Sequence, residues 1–214
     1  MDGFFYVVAR DFGFAPNPFH GTCTLATCKP TIRRVASVGD WIFGIGGRRL
    51  KAAGRLIFAM EVAETMTFNE YWEDPRFRAK RPVRNGSRKM LLGDNIYHSD
   101  PESGPWIQED SHHSRPDGTP NPDNVTHDTQ TDRVLVGFPF YYFGRGAPVI
   151  PPDLLIALRY SNGQGHRRRS LDECRDLLQW LHTNHGRSIN YVSADPFEFA
   201  AGERRYSISE DRVT

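Results

Sequence analysis

Long apolar runs and cysteine are both scarce in this sequence. No stretch approaches the ~20 consecutive apolar residues that a membrane-spanning helix needs, and residues 1–8 lack the basic segment of a signal peptide. The three cysteines, Cys23, Cys28 and Cys174, are an odd and sparse set that does not suit a secreted disulfide framework. We therefore predict a cytoplasmic protein with three free thiols and no membrane partner.

A large net charge of either sign is also absent. The 27 Lys and Arg residues against 26 Asp and Glu residues give a formal charge of +1, so net charge predicts no class of partner. Of the 214 residues, 38% are hydrophobic and 25% are charged, which excludes disordered, collagen-like and coiled-coil classes. This length and composition predict a single domain over residues 1–214 with elaborate loops.

Short motifs that identify common catalytic and metal sites are missing. The sequence has no HExxH, EF-hand, GxSxG, GxGxxG or Walker lysine pattern. His20, Cys23 and Cys28 lack the second pair of ligands of a structural zinc site, and the glycine-rich residues 44–47 suit a turn. Cys23 is a candidate nucleophile with a histidine as its base, but nothing in the sequence places the two side chains together.

Local patterns predict strands first, then two capped helices among further strands. Capping-box spacing after Thr67 and after Ser170 predicts the two helices, the second ending at Gly186. Aromatic and β-branched runs predict strands at residues 4–8, 40–44, 55–62, 133–138 and 140–143. The predicted fold is α+β: a small mixed or antiparallel, β-barrel-like sheet with peripheral helices and a long loop-rich insertion at residues 94–132.

Basic residues are concentrated in two segments, 29–55 and 76–89, which hold 14 of the 27 Lys and Arg residues. Segment 76–89 contains no acidic residue, and aromatic side chains at Trp41, Tyr71, Trp72 and Phe77 lie within or beside the two segments. Clustered cations beside aromatic rings suit a surface that binds phosphates and stacks unpaired bases. The alternative is a solvated basic face that pairs with the protein's own acids.

Acidic residues and half of the histidines are concentrated in residues 94–132. A mixture of carboxylates and imidazoles can hold a divalent metal or act as general acid and base, and His98, Asp110, His112 and His113 are the catalytic candidates. The metal-ligand candidates are Asp94, His98, His112 and His127. The alternative is that this acidic segment docks on the basic ones. The acids are Asp94, Asp100, Glu102, Glu109, Asp110, Asp117, Asp123, Asp128 and Asp132.

Five phrases of the sequence together resemble the second of the bacterial nucleotide-modification-associated domain families. They are ARDFGFAPNPF at 9–19, CTLATCKP at 23–30, GDWI at 39–42, GDNIYH at 93–98 and DSHH at 110–113. The resemblance covers about residues 4–145 and leaves 146–214 as a C-terminal extension of helix and strand. It implies association with systems that modify bases in phage and bacterial nucleic acid.

A second resemblance concerns fold. The Gly-Asp-Trp entry into a strand at residues 39–41 is similar to domains of the PUA, ASCH and EVE group, small β-barrels that often read modified or flipped bases. In the nucleotide-modification family the turn after this strand usually carries a small hydroxyl residue, where this chain has Gly47. Backbone N–H groups would have to replace the hydroxyl in any phosphate contact there.

These observations predict a recognition module for nucleic acid or a nucleotide, with no resident cofactor, in base modification or phage defence. Basic loops hold phosphates, and a pocket near Arg10, Asn17 and Trp41 receives a base. One alternative is a metal-assisted hydrolase or base-modifying enzyme that uses segment 94–132, and another is a protein-interaction module of a modification complex. The predicted binding residues are Arg10, Asp11, Asn17, Trp41, Arg48, Arg49, Lys51, Arg76, Arg81 and Arg84.

Overall fold

A computed structural model describes residues 1–99, 104–187 and 190–214. The acidic residues Asp100 and Glu102 lie outside this described part. The chain divides into two compact units. The first comprises residues 1–11, 36–64 and 137–197, and the second comprises residues 12–35, 65–136 and 198–214.

Most strands are short, and two long ones, β4 and β7, contribute residues to both units. The strands are β1 Asp2–Val8, β2 Cys23–Leu25, β3 Trp41–Gly46, β4 Leu56–Met66, β5 Tyr97–His98, β6 Ile107–Gln108, β7 Val134–Tyr142, β8 His166–Ser170, β9 Tyr191–Val192, β10 Tyr206–Ser207 and β11 Arg212–Val213. The helices are α1 Pro30–Val35, α2 Phe68–Glu73, α3 Arg88–Leu91, α4 Pro122–Asp128, α5 Pro152–Ala157 and α6 Arg175–His185. Short 3₁₀ helices occupy Pro75–Lys80, Gly144–Gly146 and Phe199–Ala201.

The first unit is built on a mixed sheet with the strand order β7-β4-β3-β1-β8. β3 pairs antiparallel with β4 and β1 pairs antiparallel with β8, whereas β1 and β3 are parallel. All six residues of β3 are buried. At Gly44 a Cβ atom would lie 2.1 Å from the Phe58 ring, so only glycine allows the two strands to pack this closely.

The predicted β-barrel is not observed, because the sheet of the first unit is open. In the part of the chain that the structure describes, β8 pairs with β1 and no pairing joins it to β7 or β9. β8 carries Arg167, Arg168 and Arg169, and charged side chains are typical of a strand that remains at a sheet edge. The α+β class is confirmed, but similarity to a PUA-like barrel is not.

Both predicted helices are present, but only α2 begins directly at its predicted capping box, and α6 begins at Arg175 without a side-chain cap. Thr67 and Glu70 form the reciprocal bonds of a capping box at α2. In the first unit, Ser170 and Glu173 make the same pair of bonds, at 2.8 Å and 3.3 Å, and a turn then leads into α6. Gly186 follows α6 with a φ of 71°, as expected for a residue that ends a helix.

The second unit packs aromatic side chains around its own core, which includes Phe14, Phe68, Tyr71 and Tyr97. The described part of the predicted insertion, residues 94–99 and 104–132, belongs to this unit and is mostly irregular backbone and turns. It also contains a helix that the sequence analysis missed, α4. Asn121 caps α4 by accepting hydrogen bonds from the backbone N–H groups of Asp123 and Asn124, and Pro122 occupies the first helical position.

A buried lysine ties the loops of the second unit together. Lys80 is fully buried, and Nζ donates to Asn17 Oδ1 at 2.8 Å and to the carbonyl oxygens of Asn17 and Thr22 at 3.0 Å each. Burial lowers the pKa of Lys80 to about 8, although the nearby Asp94 carboxyl group opposes this shift. The three bonds satisfy all three ammonium protons, so Lys80 supports the structure of the unit.

Replacing Lys80 with methionine should therefore destabilise the protein. Asn17 Oδ1 and the two carbonyl oxygens would lose their buried donor, and we expect the free energy of unfolding to fall by about 3 kcal/mol in urea denaturation. Lys89 is exposed in the same basic segment, so Lys89→Met is the matched control, with a change below about 0.5 kcal/mol. Equal stability of the two variants would show that the three bonds contribute nothing.

Candidate active site

Cys28 lies in the second unit, between β2 and α1, on an unusual turn. Its φ is 57° and that of Lys29 is 42°, so two consecutive non-glycine residues adopt the left-handed conformation. Pro30 then begins α1. Cys28 is partly exposed, whereas Cys23 and Cys174 are buried. Backbone strain of this kind is concentrated at functional sites, which directs attention to the Cys28 side chain.

The Cys28 sulfur contacts the imidazole of His113. His113 Nε2 lies 3.7 Å from Cys28 Sγ, within hydrogen-bond range for sulfur. A turn holds His113 in place, because its backbone N–H donates to Ser111 Oγ at 3.2 Å and the Ser111 N–H donates to Ser114 Oγ at 3.0 Å. The Phe14 ring packs against the imidazole with ring centroids 4.7 Å apart. His113 is only 3% exposed, so its ring has little freedom to turn.

Asp128, the last residue of α4, holds the other side of the imidazole. His113 Nδ1 donates to Asp128 Oδ2 at 2.7 Å, and the Tyr97 hydroxyl donates to the same oxygen at 3.0 Å. The backbone N–H of Cys28 donates to Asp128 Oδ1 at 2.7 Å, and His127 Nδ1 lies 3.3 Å from it. The fully buried carboxylate thus accepts four hydrogen bonds, one of them from the cysteine's own backbone.

The charges of His113 and Asp128 each stabilise the ionised form of the other group. Burial opposes ionisation of His113, but the Asp128 carboxylate and then Cys28 outweigh burial and raise the pKa of His113 above its usual range. Burial likewise raises the pKa of Asp128, but the charge and hydrogen bond of His113 dominate and hold it well below its usual range. At neutral pH the site therefore holds a carboxylate and an imidazolium, and the imidazolium adjoins the cysteine sulfur.

Arg33, a buried residue of α1, fixes the backbone on which this cluster rests. Its Nε donates to the Cys28 carbonyl oxygen at 2.8 Å, and its Nη2 donates to the Asp128 carbonyl oxygen. Its Nη1 donates to the carbonyl oxygens of Arg133 at 2.6 Å and Thr131 at 3.2 Å. The guanidinium thereby joins two segments about 100 residues apart in the sequence and sets the separation of the thiol and the carboxylate.

The three side chains also offer ligand atoms within 4.8 Å of one another, as a metal site would. However, the four hydrogen bonds to Asp128 occupy the roughly four lone-pair positions of a carboxylate. Only the thiol and one imidazole nitrogen would then remain, which is fewer than the three or four protein ligands of zinc sites. The donor set fits a nucleophile, a proton-transfer group and an orienting carboxylate better than it fits a metal.

The predicted binding residues of the first unit differ in their exposure and in their contacts. Asp11 is 4% exposed and accepts hydrogen bonds from the Tyr142 hydroxyl and the Phe197 N–H. Trp41 is 4% exposed and packs on Phe43, so in this conformation it offers no free ring face for a base. Arg10 is partly exposed.

The basic turn between β3 and β4 is accessible, since Arg48, Arg49 and Lys51 are exposed. The Gly47 backbone N–H is not free for a phosphate, because it donates to the Val8 carbonyl oxygen at 2.9 Å.

Predicted binding residues of the second unit are mostly engaged in internal contacts. Asn17 is fully buried and bonds to Leu92 as well as Lys80. Arg81 donates to the Trp72 carbonyl oxygen and lies 3.6 Å above the Trp72 ring. Arg84 donates to the Glu203 carbonyl oxygen at 2.9 Å. Arg76 is 56% exposed, although it pairs with Asp74.

Of the four predicted catalytic candidates, His113 contacts a nucleophilic side chain, Cys28. His98 stacks on Trp72 at 4.1 Å and pairs with Glu109. Asp110 pairs with Arg205, and His112 Nδ1 contacts the Arg204 carbonyl oxygen at 2.5 Å.

Among the described residues, the predicted metal ligands Asp94, His98, His112 and His127 do not come together with the spacing of a metal site. The one group of side chains with that spacing is Cys28, His113 and Asp128. Asp94 is instead buried, where it accepts hydrogen bonds from the hydroxyl groups of Thr24 and Tyr71. Burial raises the pKa of Asp94 to about 6, opposed first by the charge of Lys80.

Sequence reasoning missed the partners of His113. It considered Cys23 as the nucleophile, but Cys23 is fully buried and burial raises the pKa of its thiol. Cys28 was considered only as a zinc ligand, and Asp128 only as one acid among nine. The available signal was the Cys-Lys-Pro order at residues 28–30, which places a cysteine directly before a helix that begins with proline.

Residues 1–203 match the family model described as nucleotide modification associated domain 2. The match covers most of the chain, so the protein belongs to this family, and the similarity extends well beyond residues 4–145. No curated protein and no solved structure matches the chain. Among the helices of the described residues, none has both the length and the apolar character needed to cross a bilayer.

The His113–Asp128 pair should give the protein's stability a specific pH dependence. Because the folded state raises the pKa of His113, the stabilisation from its proton is fully present below the unfolded pKa of about 6.5 and is lost as the pH rises through the folded value. The free energy of unfolding of the native protein should exceed that of His113→Gln by about 3 kcal/mol at pH 6, and by much less at pH 10.

Urea denaturation of the native protein and of His113→Gln at pH 6, 8 and 10 measures this difference in the free energy of unfolding. The titration of other groups largely cancels, because both proteins contain them. His127→Gln is the control, since His127 is more exposed and its bond to Asp128 is longer, so its effect should be smaller. A difference for His113→Gln that stayed constant or grew with pH would contradict the charged pair.

Proposed function

We propose that this protein is an enzyme of nucleotide modification that uses Cys28 as its nucleophile. The observation that carries the proposal is the contact series from Cys28 Sγ to His113 Nε2 at 3.7 Å and from His113 Nδ1 to Asp128 Oδ2 at 2.7 Å. A nucleophile next to a proton-transfer group that a third residue orients is the arrangement of covalent catalysis on several unrelated folds. Membership of the family supplies the link to nucleotides.

The chemistry that this arrangement serves best is acyl transfer. The Cys28 thiolate attacks a carbonyl carbon of the substrate, a C–S bond forms, and the bond to the leaving amine or alcohol breaks. The His113 imidazolium gives its proton to the leaving group. The neutral imidazole then takes a proton from water or another acceptor that attacks the thioester, and the thiolate is restored. Asp128 keeps Nε2 of the ring directed at the sulfur throughout.

Reactivity of the thiol provides a direct test. Cys23 and Cys174 are buried, so one equivalent of iodoacetamide at pH 7 should modify Cys28 alone, as intact-mass and peptide mass spectrometry would show. His113→Gln should slow the modification about tenfold or more, because the positive charge beside the sulfur is lost. His98→Gln is the matched control and should have no effect. Equal rates for all three proteins would remove His113 from the mechanism.

A chromogenic acyl ester tests catalysis itself. With p-nitrophenyl acetate we expect a burst of one nitrophenolate per protein and an acetyl group on Cys28, both absent in Cys28→Ala. His113→Gln should lower the turnover rate by about 10²-fold or more. An N-acylated nucleotide compared with its unacylated parent then tests the substrate class. Acetylation that persists in Cys28→Ala would assign the reactivity to another residue.

Recognition of nucleic acid is a second proposed role, and a specific observation favours it. In the basic segment 76–89, Arg76, Arg78, Arg88 and Lys89 are exposed, and no acid lies within the segment. Cations presented in this way bind phosphates of a nucleic acid chain. Arg81 and Arg84 are poor choices for a test because both hold backbone carbonyl groups of the second unit.

The double variant Arg78→Glu with Arg88→Glu should weaken binding of a fluorescent single-stranded oligonucleotide, measured by anisotropy over a salt series. Each lost phosphate contact should also reduce the slope of log affinity against log salt by about 0.7. Arg175→Glu is the control, since Arg175 is exposed in the first unit and belongs to neither basic segment. If the double variant binds like the control, the segment does not contact nucleic acid and a protein partner becomes the better explanation for it.

A further inference from the structure

The second unit contains a cavity of about 280 Å³ that has no role in the mechanism above. Three arginines, Arg115, Arg205 and Arg212, line it together with two acids, Asp123 and Glu210. Pockets that enclose a whole ligand of drug size measure about 300–1,000 Å³, so this cavity fits one end of such a molecule. The excess of cations suggests that this end is an anion.

The three arginines differ in how firmly they are held. Arg205 is 13% exposed, pairs with Asp110 and donates to the Ser111 carbonyl oxygen at 2.9 Å, so it forms a fixed wall. Arg212 lies 3.4 Å from Glu210, but both side chains are more than half exposed, and such a pair is weak and readily exchanged. Arg115 is exposed. Arg115 and Arg212 can therefore turn toward an anionic ligand.

Hydroxyl groups complete the lining. Ser207, Ser209 and Thr214 line the cavity, and the first two contact each other through their Oγ atoms at 3.2 Å. Hydroxyl and guanidinium donors around a small space are the groups that bind phosphate oxygens. A carboxylate ligand would use fewer of these donors than a phosphate, which has three or more oxygens.

Residues that line the cavity also contact His113 or are adjacent to it in the sequence. Tyr206 lines the cavity, and its ring lies 5.8 Å from the His113 ring. Ser114, the residue after His113, lines the cavity as well. Asn124 links the backbone of His113 to that of Tyr206, because its Nδ2 donates to the carbonyl oxygens of His113 at 2.7 Å and Tyr206 at 2.6 Å.

We propose that this cavity binds the phosphate group of the substrate whose acyl group reacts with Cys28. The proposal rests on the proposed function for its connection to Cys28. The phosphate belongs either to a free nucleotide or to the phosphodiester of a nucleic acid chain. Both present the same oxygens to Arg115 and Arg212, and the charge of a terminal phosphate is the larger of the two.

Binding is tested by calorimetry with three probes: thymidine, thymidine 5′-monophosphate and the dinucleoside monophosphate TpT. We expect the monophosphate to bind and thymidine not to bind, and Arg115→Gln and Arg212→Gln each to weaken monophosphate binding by about tenfold or more. Arg175→Gln, at an exposed arginine of the first unit outside both basic segments, is the control and should leave affinity unchanged. Tighter binding of TpT than of the monophosphate would identify a nucleic acid chain as the source of the phosphate.

The rate of Cys28 alkylation, measured in the same samples, separates this proposal from the proposed function. The monophosphate should slow alkylation in the native protein and lose this effect in Arg115→Gln and Arg212→Gln. Alkylation that depends on His113 but monophosphate affinity that is unchanged in both variants would overturn the phosphate cavity and leave the nucleophile intact. Affinity that depends on both arginines with alkylation independent of His113 would overturn the proposed function and the connection to Cys28.

Discussion

A carboxylate without access to water is the constraint on which the candidate site depends. Removing a charge such as that of Asp128 from solvent is costly unless hydrogen bonds and an opposite charge replace the water. The replacements come from Cys28, Tyr97 and His113, and from the adjacent His127, so three other stretches of chain must converge on one side chain. The Arg33 guanidinium holds two of these segments together, because it donates to the carbonyl oxygens of Cys28 and Asp128. Structural stability and the alignment of the thiol with its imidazole therefore have the same physical origin.

Much of the fold follows from local patterns. The strands β1, β3 and β4 are apolar runs bounded by turn residues. A capping box begins α2 and a glycine ends α6, so local sequence determines these elements. The helix α4 was missed because segment 94–132 is rich in proline, although Asn121 before Pro122 is itself a capping signal. The barrel was predicted from the order of strands and helices and from the PUA-like resemblance, but closure depends on distant edge strands that local patterns do not describe.

The candidate site was only partly predictable, because its members are far apart in the sequence. The composition of segment 94–132 identified His113 as a candidate. Its partners, however, lie 85 residues away at Cys28 and 15 residues away at Asp128. The same limit applies to Asn17 and Lys80, whose polar side chains suggest a surface but satisfy each other in the interior. Polar residue types show what chemistry is available, whereas the fold determines which groups meet.

The wide spacing of Cys28, His113 and Asp128 along the chain also has a consequence during synthesis. A ribosome releases Cys28 long before it has made the residues that supply the imidazole and the carboxylate. Until those residues are made and the second unit folds around Asp128, the Cys28 side chain has neither the imidazole nor the carboxylate nearby. The Cys28 sulfur therefore acquires its contact with His113 only when the second unit has folded, and any function that depends on this contact begins at that point.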